Sequence, residues 1–296
     1  MYEIKELTPR CLFMESPAKI GIIRLSESEV CLIDSGSDKE AGRKVRQQLD
    51  ANKWKLKAIF NTHSNADHIG GNAYLQKQTG CEIYAPGIEC SFTRHPILEP
   101  SFLYGGYPFS ELRHKFLLAQ ESNVRPLTAD VLPEGMTAIP LPGHFFDMTG
   151  FAVEDGGKKV IYLADSLSGE ATLKKYRIGF IYDVGRYLET LETLKNMEAD
   201  MFVPSHAEAT DNIAPLAQAN IDNVLENGET ILEICREPAS FEAVLKKLFD
   251  RYTLSMNVQQ YVLVGSTVRS YLSWLRETGR MEILFDSNMM LWKEKK

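Results

Sequence analysis

Short apolar runs recur through the first two-thirds of the chain, and each closes on a turn residue. EVCLIDSGS (29–37) predicts a buried strand ending in a turn, and LKAIFNTH (56–63) and CEIYAP (81–86) predict two more. MTAIPLPGH (136–144), TGFAVED (149–155), KKVIYLADS (158–166) and ADMFVPSH (199–206) continue the series. All are rich in Val, Ile, Phe or Tyr and bounded by Gly, Pro, Asp or Ser, as short buried strands are. EDGGKK, between two of them, predicts a hairpin turn. Between the strands the apolar period becomes helical. DKEAGRKVRQQLDAN (38–52) has it, and so does NAYLQKQTG (72–80), with Gly80 as its stop. GRYLETLETLKNME (185–198) places Leu188, Leu191 and Leu194 on one face. Strands alternating with helices and hairpins predict an α/β fold, with sheets covered by helices.

From about 212 the pattern is helical. NIAPLAQANIDNVLENGETILEICRE, SFEAVLKKLFDRY and QQYVLVGSTVRSYLSWLRETG predict three helices, the last stopped by Gly279. RMEILFDSNMMLWKEKK then reads as strand, turn, strand. Helices followed by a terminal hairpin resemble a winged helix, so a domain boundary is expected near 211, with 1–211 and 212–296 as the two units. Such a module also serves as a packing or dimerisation unit, which makes a homo-oligomer one expectation.

The segment 88–134 carries Phe92, Phe102, Tyr104, Tyr107, Phe109 and Phe116, and Tyr176, Phe180, Tyr182 and Tyr187 follow later. Ordinary packing accounts for aromatics of this kind. Some of them can equally wall a substrate pocket, since pockets are mostly apolar with few polar groups.

Composition narrows the classes. A chain of 296 residues, 44% hydrophobic and 25% charged, can bury a large core and is not globally disordered. Its net charge of -7 argues against a surface that binds nucleic acid throughout. Residues 239–296 carry nine Lys and Arg against six Asp and Glu, thin support for a local RNA-binding patch. The N-terminal MYEIKELTPRCLFMES lacks the basic start and apolar run of a signal peptide, and no apolar stretch reaches the ~20 residues of a membrane span. Five scattered cysteines form no C-x-x-C pair. Reduced thiols in a cytoplasmic protein are the expectation.

The chemistry is concentrated in NTHSNADHIGGN (61–72), where His63, Asp67 and His68 fall within six positions. Gly70 and Gly71 behind them are expected to let the backbone turn and start a helix, whose free N–H groups would favour the Asp67 carboxylate. Asp34, His63, His144, Asp165 and His206 each stand where an apolar run ends. Side chains on the loops after strands can converge on one edge of a rigid sheet.

T-H-S-N-A-D-H-I-G-G resembles the H-x-H-x-D-H signature of the metallo-β-lactamase superfamily. The remaining segments of that family follow in order: LPGH with His144, YLADS with Asp165, PSH with His206, and upstream LIDSG with Asp34. The resemblance covers about residues 1–210. It implies an αββα sandwich, a catalytic domain to which some members add a helical or winged extension, and two metal sites in a cleft. Carried over by position, His63, Asn65 and His144 correspond to the first site, Asp67, His68 and His206 to the second, and Asp165 to the bridging carboxylate. Asn65 departs from the pattern. A neutral amide oxygen is a weaker ligand than imidazole for a borderline-soft ion, so unequal affinities are expected, with the second site tighter. Zinc is the expected ion, in one or two copies; iron and manganese also occur in the family. Asp34 is expected to orient a ligand rather than to bind metal, and Asp183 to cap a helix. His95 and His114 match no family position.

The resemblance implies a metal-dependent hydrolase in which Asp67 handles a proton, acting on a small ester or thioester in the glyoxalase II manner. Two other readings stay open: an endoribonuclease or phosphodiesterase whose tail binds RNA, and a degenerate, non-enzymatic sensor in which Asn65 marks a lost site.

Overall fold

The computed structural model, described over residues 2–295, contains two face-to-face sheets with helices on both outer faces. The first sheet has seven strands in sequential order: β1 (Ile4–Glu6), β2 (Cys11–Met14), β3 (Ile20–Arg24), β4 (Glu29–Ile33), β5 (Lys55–Phe60), β6 (Glu82–Ala85) and β7 (Arg125–Pro126). The pairs up to β4 are antiparallel, and β4 to β7 are parallel. The second sheet has the order β11-β10-β9-β8, with β8 (Met136–Pro140), β9 (Thr149–Asp155), β10 (Lys158–Ala164) and β11 (Met201–Pro204).

Period-two alternation explains how one strand serves two layers. Ile20, Ile22, Val30 and Leu32 face outward onto Val45 and Leu49 of α1 (Lys39–Ala51) and Leu75 of α3 (Asn72–Thr79). Their neighbours Ile23, Cys31 and Ile33 face inward and meet Phe151, Val153, Val160, Tyr162 and Val203 of the second sheet. Both faces of the central strands are buried, so the runs are continuously apolar. Tyr162 crosses the inter-sheet layer and donates its hydroxyl to the Leu12 carbonyl at 2.9 Å.

The outer face of the second sheet (Ala152, Ile161, Leu163, Phe202) is covered by Leu191 and Leu194 of α7 (Val184–Lys195). The same cluster continues into α8 (Ala214–Ile234), α9 (Phe241–Arg251) and α10 (Val258–Glu277), reaching Met281 at the start of the hairpin β12 (Met281–Asp286) and β13 (Met289–Glu294). The fold is therefore an αββα sandwich with a helical extension packed on its second helical layer.

The seven strands, the helices at 38–52, 72–80 and 185–198, the three tail helices and the hairpin all lie where the pattern places them. Gly80 (φ 70°) and Gly279 (φ 77°) end their helices in the left-handed region. Asp183 caps α7 by accepting from the Arg186 N–H at 3.1 Å. Strands β1 to β3 and β7, and the short helices α2 (Ala66–Ile69), α4 (Glu89–Arg94), α5 (Leu98–Tyr104) and α6 (Glu170–Tyr176), are additions to the sequence reading. All five cysteines are buried and unpaired. Among the described residues, no helix is long and apolar enough to cross a membrane.

Candidate metal centre

The loops that follow β4, β5, β8, β10 and β11 meet at one end of the sandwich. His63 and His68 come from the loop and short helix α2 after β5, His144 from the loop after β8, Asp165 from the end of β10, and His206 from the end of β11. Two residues beside the site hold backbone conformations that L-amino acids rarely adopt: Asp34 (φ 63°) and Ala164 (φ 52°). Gly143 (φ 121°) is required twice over, since a Cβ there would stand 2.3 Å from the Tyr187 backbone nitrogen. Its carbonyl accepts from the Asp183 N–H at 2.9 Å, which fixes the loop that carries His144.

A helix, α3, starts directly after Gly70 and Gly71, as expected, but the reason for glycine there is close approach. Neither has a positive φ; a Cβ at Gly70 would lie 2.3 Å from the Ser37 carbonyl carbon, and one at Gly71 would lie 2.3 Å from the Ser35 oxygen. They are needed so that the His-bearing turn can press against the loop after β4. Ser35 N–H then donates to the His68 carbonyl at 2.8 Å.

Two groups of ligand atoms lie within 4.8 Å of one another: Asp67, His68, Asp165 and His206, and His63, His144 and Asp165. Asp165 belongs to both. His68 Nε2 lies 3.1 Å from Asp165 Oδ1, and His206 Nε2 lies 3.3 Å from Asp165 Oδ2 and 3.4 Å from Asp67 Oδ2. His144 Nε2 is 3.6 Å from Asp165 Oδ2. Ligand atoms around a tetrahedral ion at about 2.0–2.2 Å stand roughly 3.3–3.6 Å apart, so the spacing suits a shared cation.

The other ring nitrogens of His63, His68 and His206 are already engaged. His68 Nδ1 lies 2.8 Å from Asp34 Oδ2, and His63 Nδ1 lies 2.9 Å from the Thr62 hydroxyl, which also lies 2.8 Å from Asp34 Oδ2. His206 Nδ1 faces the Pro17 carbonyl at 2.9 Å. Such partners keep the proton on Nδ1 and turn the Nε2 lone pair inward. Correspondingly, His63 Nε2, His68 Nε2 and Asp165 Oδ1 are buried without a hydrogen-bond partner among the described residues. Buried polar atoms are rarely left unpaired, and a cation is the partner this donor set fits.

Electrostatics point the same way. Burial opposes charge on His206, but Asp165 and Asp67 outweigh it and raise its pKa to about 10. Burial likewise opposes charge on His68, and Asp165, Asp67 and Asp34 still hold it well above the ordinary value. His63 and His144 are lowered, chiefly by burial. Asp67 and Asp165, against the cost of desolvation, are held below the usual range by the facing imidazoles His68 and His206. The net effect is an anionic pair, Asp165 largely buried and Asp67 at the rim, surrounded by imidazoles, which attracts a divalent cation in place of protons.

Asn65, which precedes α2, turns its Nδ2 to Glu99 Oε1 at 2.8 Å, and its Oδ1 is buried without a partner among the described residues. Two glutamates that sequence reasoning did not single out lie behind this loop. Glu89 on α4 accepts from the Ser64 N–H at 3.0 Å and the Asp147 N–H at 2.9 Å; burial pushes it up to about 7. Glu99 on α5 is buried as well, and burial pushes it well above the carboxylate range. Their partners are 25 to 58 residues away in sequence, so no local pattern reveals them. His95 is exposed and His114 half-buried; neither joins the centre.

A cavity of about 50 Å³ opens beside His144, Asp165 and His206 and is walled by Phe180, Tyr187 and Val224. Of the aromatics singled out above, Phe180 and Tyr187 stand there; Phe92, Phe102 and Tyr182 pack edge-on or tilted against Phe145 or Phe146 beside the His144 loop, and Tyr107 and Phe116 are exposed.

Residues 15–206 match the sequence profile of the Metallo-beta-lactamase superfamily, and the chain belongs to that superfamily. Among solved structures it is similar to a metallo-beta-lactamase family protein from Thermus thermophilus (TM-score 0.74, 18% identity, 98% of this chain and 100% of that one). A Beta-lactamase domain protein from Burkholderia ambifaria is similar too (TM-score 0.72, 16% identity, 99% and 94%). Both likenesses run through the C-terminal helices. In sequence the chain is similar to the Hydroxyacylglutathione hydrolase of Nitrobacter hamburgensis, at 28% identity over 43% of this chain and 40% of that protein. It also resembles the Hydroxyacylglutathione hydrolase of Bradyrhizobium sp., at 49% identity over 16% of this chain and 18% of that one. Each match spans less than half the length of the relative.

Proposed function

We propose that the chain is a metal-dependent hydrolase of small esters or thioesters. The observation that carries this reading is the pair of His/Asp clusters that share Asp165 and aim unpartnered Nε2 atoms inward. In this reading His63, Asn65 and His144 hold one ion, Asp67, His68 and His206 hold a second, and Asp165 contributes to both. Zinc is the ion we expect, with iron or manganese as the alternatives the oxygen donors favour. Divalent ions held here would lower the pKa of a water from ~15.7 toward neutrality and polarise a carbonyl.

The remaining work falls to this chain's side chains. Asp67 has a side chain 39% exposed at the rim, whereas His63 and His68 are buried. It can take the proton released as water adds to the carbonyl carbon and deliver it to the departing thiolate or alkoxide. Asp34 and Thr62 keep the two floor imidazoles in register. Leu167, Phe180, Ile181 and Tyr187 along the cavity match an organic acyl group better than a chain of phosphates. The names of the sequence relatives support the thioester assignment. We read α8 to α10 and the hairpin as a winged-helix-like packing module, and the five buried free thiols as suited to the reducing cytoplasm.

Elemental analysis of the purified protein, followed by a panel of thioesters, lactones and phosphodiesters, tests the reading. Bound zinc, iron or manganese with thioester or ester turnover is expected. Absence of metal in protein handled without chelator, or turnover confined to phosphodiesters, overturns it.

A further inference from the structure

Glu99 is only 4% exposed and lies on α5, outside the catalytic motifs. A donor from the metal-binding loop reaches it, the Asn65 side-chain amide at 2.8 Å. Asn65 occupies the place, two residues after His63, where the loop offers no imidazole.

An amide side chain presents an NH2 on one side and an oxygen on the other, nearly alike in shape. Only the oxygen can offer a lone pair to a cation. With Nδ2 tied to Glu99, Oδ1 is directed away and left buried, with no hydrogen-bond partner among the described residues. His63 Nε2, His68 Nε2 and Asp165 Oδ1 are in the same condition. Glu89 differs: its partners are the Ser64 backbone and hydroxyl and the Asp147 backbone, so it fixes the loop path and no ligand side chain.

We propose that Glu99 is a positioning residue that locks the Asn65 amide with its oxygen toward the His63–His144–Asp165 cluster. The Asn65–Glu99 pair then fills the role of the missing imidazole. The inference rests on the metal centre proposed above. It makes the affinity of this cluster depend on Glu99, while the Asp67–His68–His206 cluster is indifferent to it. Glutamine at 99 presents an NH2 beside its oxygen and can pair with either end of the Asn65 amide, so the amide at 65 loses its fixed orientation.

Zinc titration of metal-stripped full-length protein, read by calorimetry and by elemental analysis after dialysis, tests this. Wild type is expected to bind two zinc ions, one tighter than the other. Glu99→Gln and the apolar Glu99→Met should weaken only the looser site, by about 10–100-fold. In an Asn65→His background, the Glu99→Gln loss should vanish, because imidazole does not use that lock. Unchanged zinc binding in Glu99→Gln, or an equal loss in the Asn65→His background, overturns the proposal. Failure of wild type to bind zinc, iron or manganese instead sinks the metal centre itself. If the Glu99 variants do not fold, a zinc-loaded crystal structure of wild type decides. Asn65 Oδ1 at about 2.0–2.2 Å from an ion, with Nδ2 still on Glu99, is expected, and an amide oxygen facing elsewhere overturns the assignment.

Discussion

Asp34 Oδ2 stands 2.8 Å from His68 Nδ1, and the same oxygen accepts from the Thr62 hydroxyl that supports His63. One carboxylate thus sets the tautomer of two imidazoles, one in each cluster. Asp34→Asn keeps the shape, and Asn tolerates the φ of 63° that this position demands. Zinc affinity, measured by competition with a chromogenic chelator, should fall about 10–100-fold. Wild-type affinity in this variant would show that Asp34 does not organise the centre.

Asp67→Ala tests the proton carrier. Turnover of the substrate found in the panel should drop at least ~100-fold. The circular dichroism spectrum should remain that of wild type, because the side chain sits at an open rim. Full activity in a folded variant removes Asp67 from the chemistry.

The raised pKa of His206 gives the metal-free protein a definite pH response. Its folded value, about 10, exceeds its ordinary 6.5, so its stabilising contribution is complete below about 6.5 and disappears as pH rises through about 10. The melting temperature of metal-free protein should decline across that window. Zinc loading requires neutral imidazole, so it should release protons near pH 7 and flatten the decline. Calorimetry in two buffers of different ionisation enthalpy measures the release; identical heats would contradict it.

Glu89 titrates in a lower window. Its folded value of about 7 lies above the ordinary 4.5, so its contribution is present below about 4.5 and is lost as pH rises through about 7. Glu89→Gln should remove that slope, and should cost about 1–3 kcal/mol because Ser64 and Asp147 donors then compete for one oxygen. Urea melts of both proteins between pH 4.5 and 8 report it.

Gly143→Ala forces a Cβ against the Tyr187 backbone at a φ of 121°. The His144 loop must shift, and the looser zinc site should weaken along with a fall in melting temperature. A variant with wild-type zinc stoichiometry and stability would show that the loop accommodates the methyl.

The sandwich and the metal loop were legible because their signals are local. Strand runs such as VCLI and VIYLA are buried on both faces, and each reaches the centre with its polar residue at the end. Strands β1 to β3 escaped because they carry no site residue and fall among scattered Glu, Ser and Pro. Glu89 and Glu99 were invisible for another reason. Carboxylates are ordinarily solvated, and nothing within a few residues of them announces burial. Asp34, by contrast, announced its role through its place at a strand end. Gly70 and Gly71 were recognised as necessary, but the reason lies in a neighbour more than thirty residues upstream that only the folded chain brings near.

One apolar cluster joins the outer face of the second sheet to α8, α9, α10 and Met281. The extension is consequently no detachable appendage. Cutting the gene after codon 211 would leave a wall of Ile, Leu and Phe wet, and the shortened polypeptide would clump before its catalytic end could be assayed.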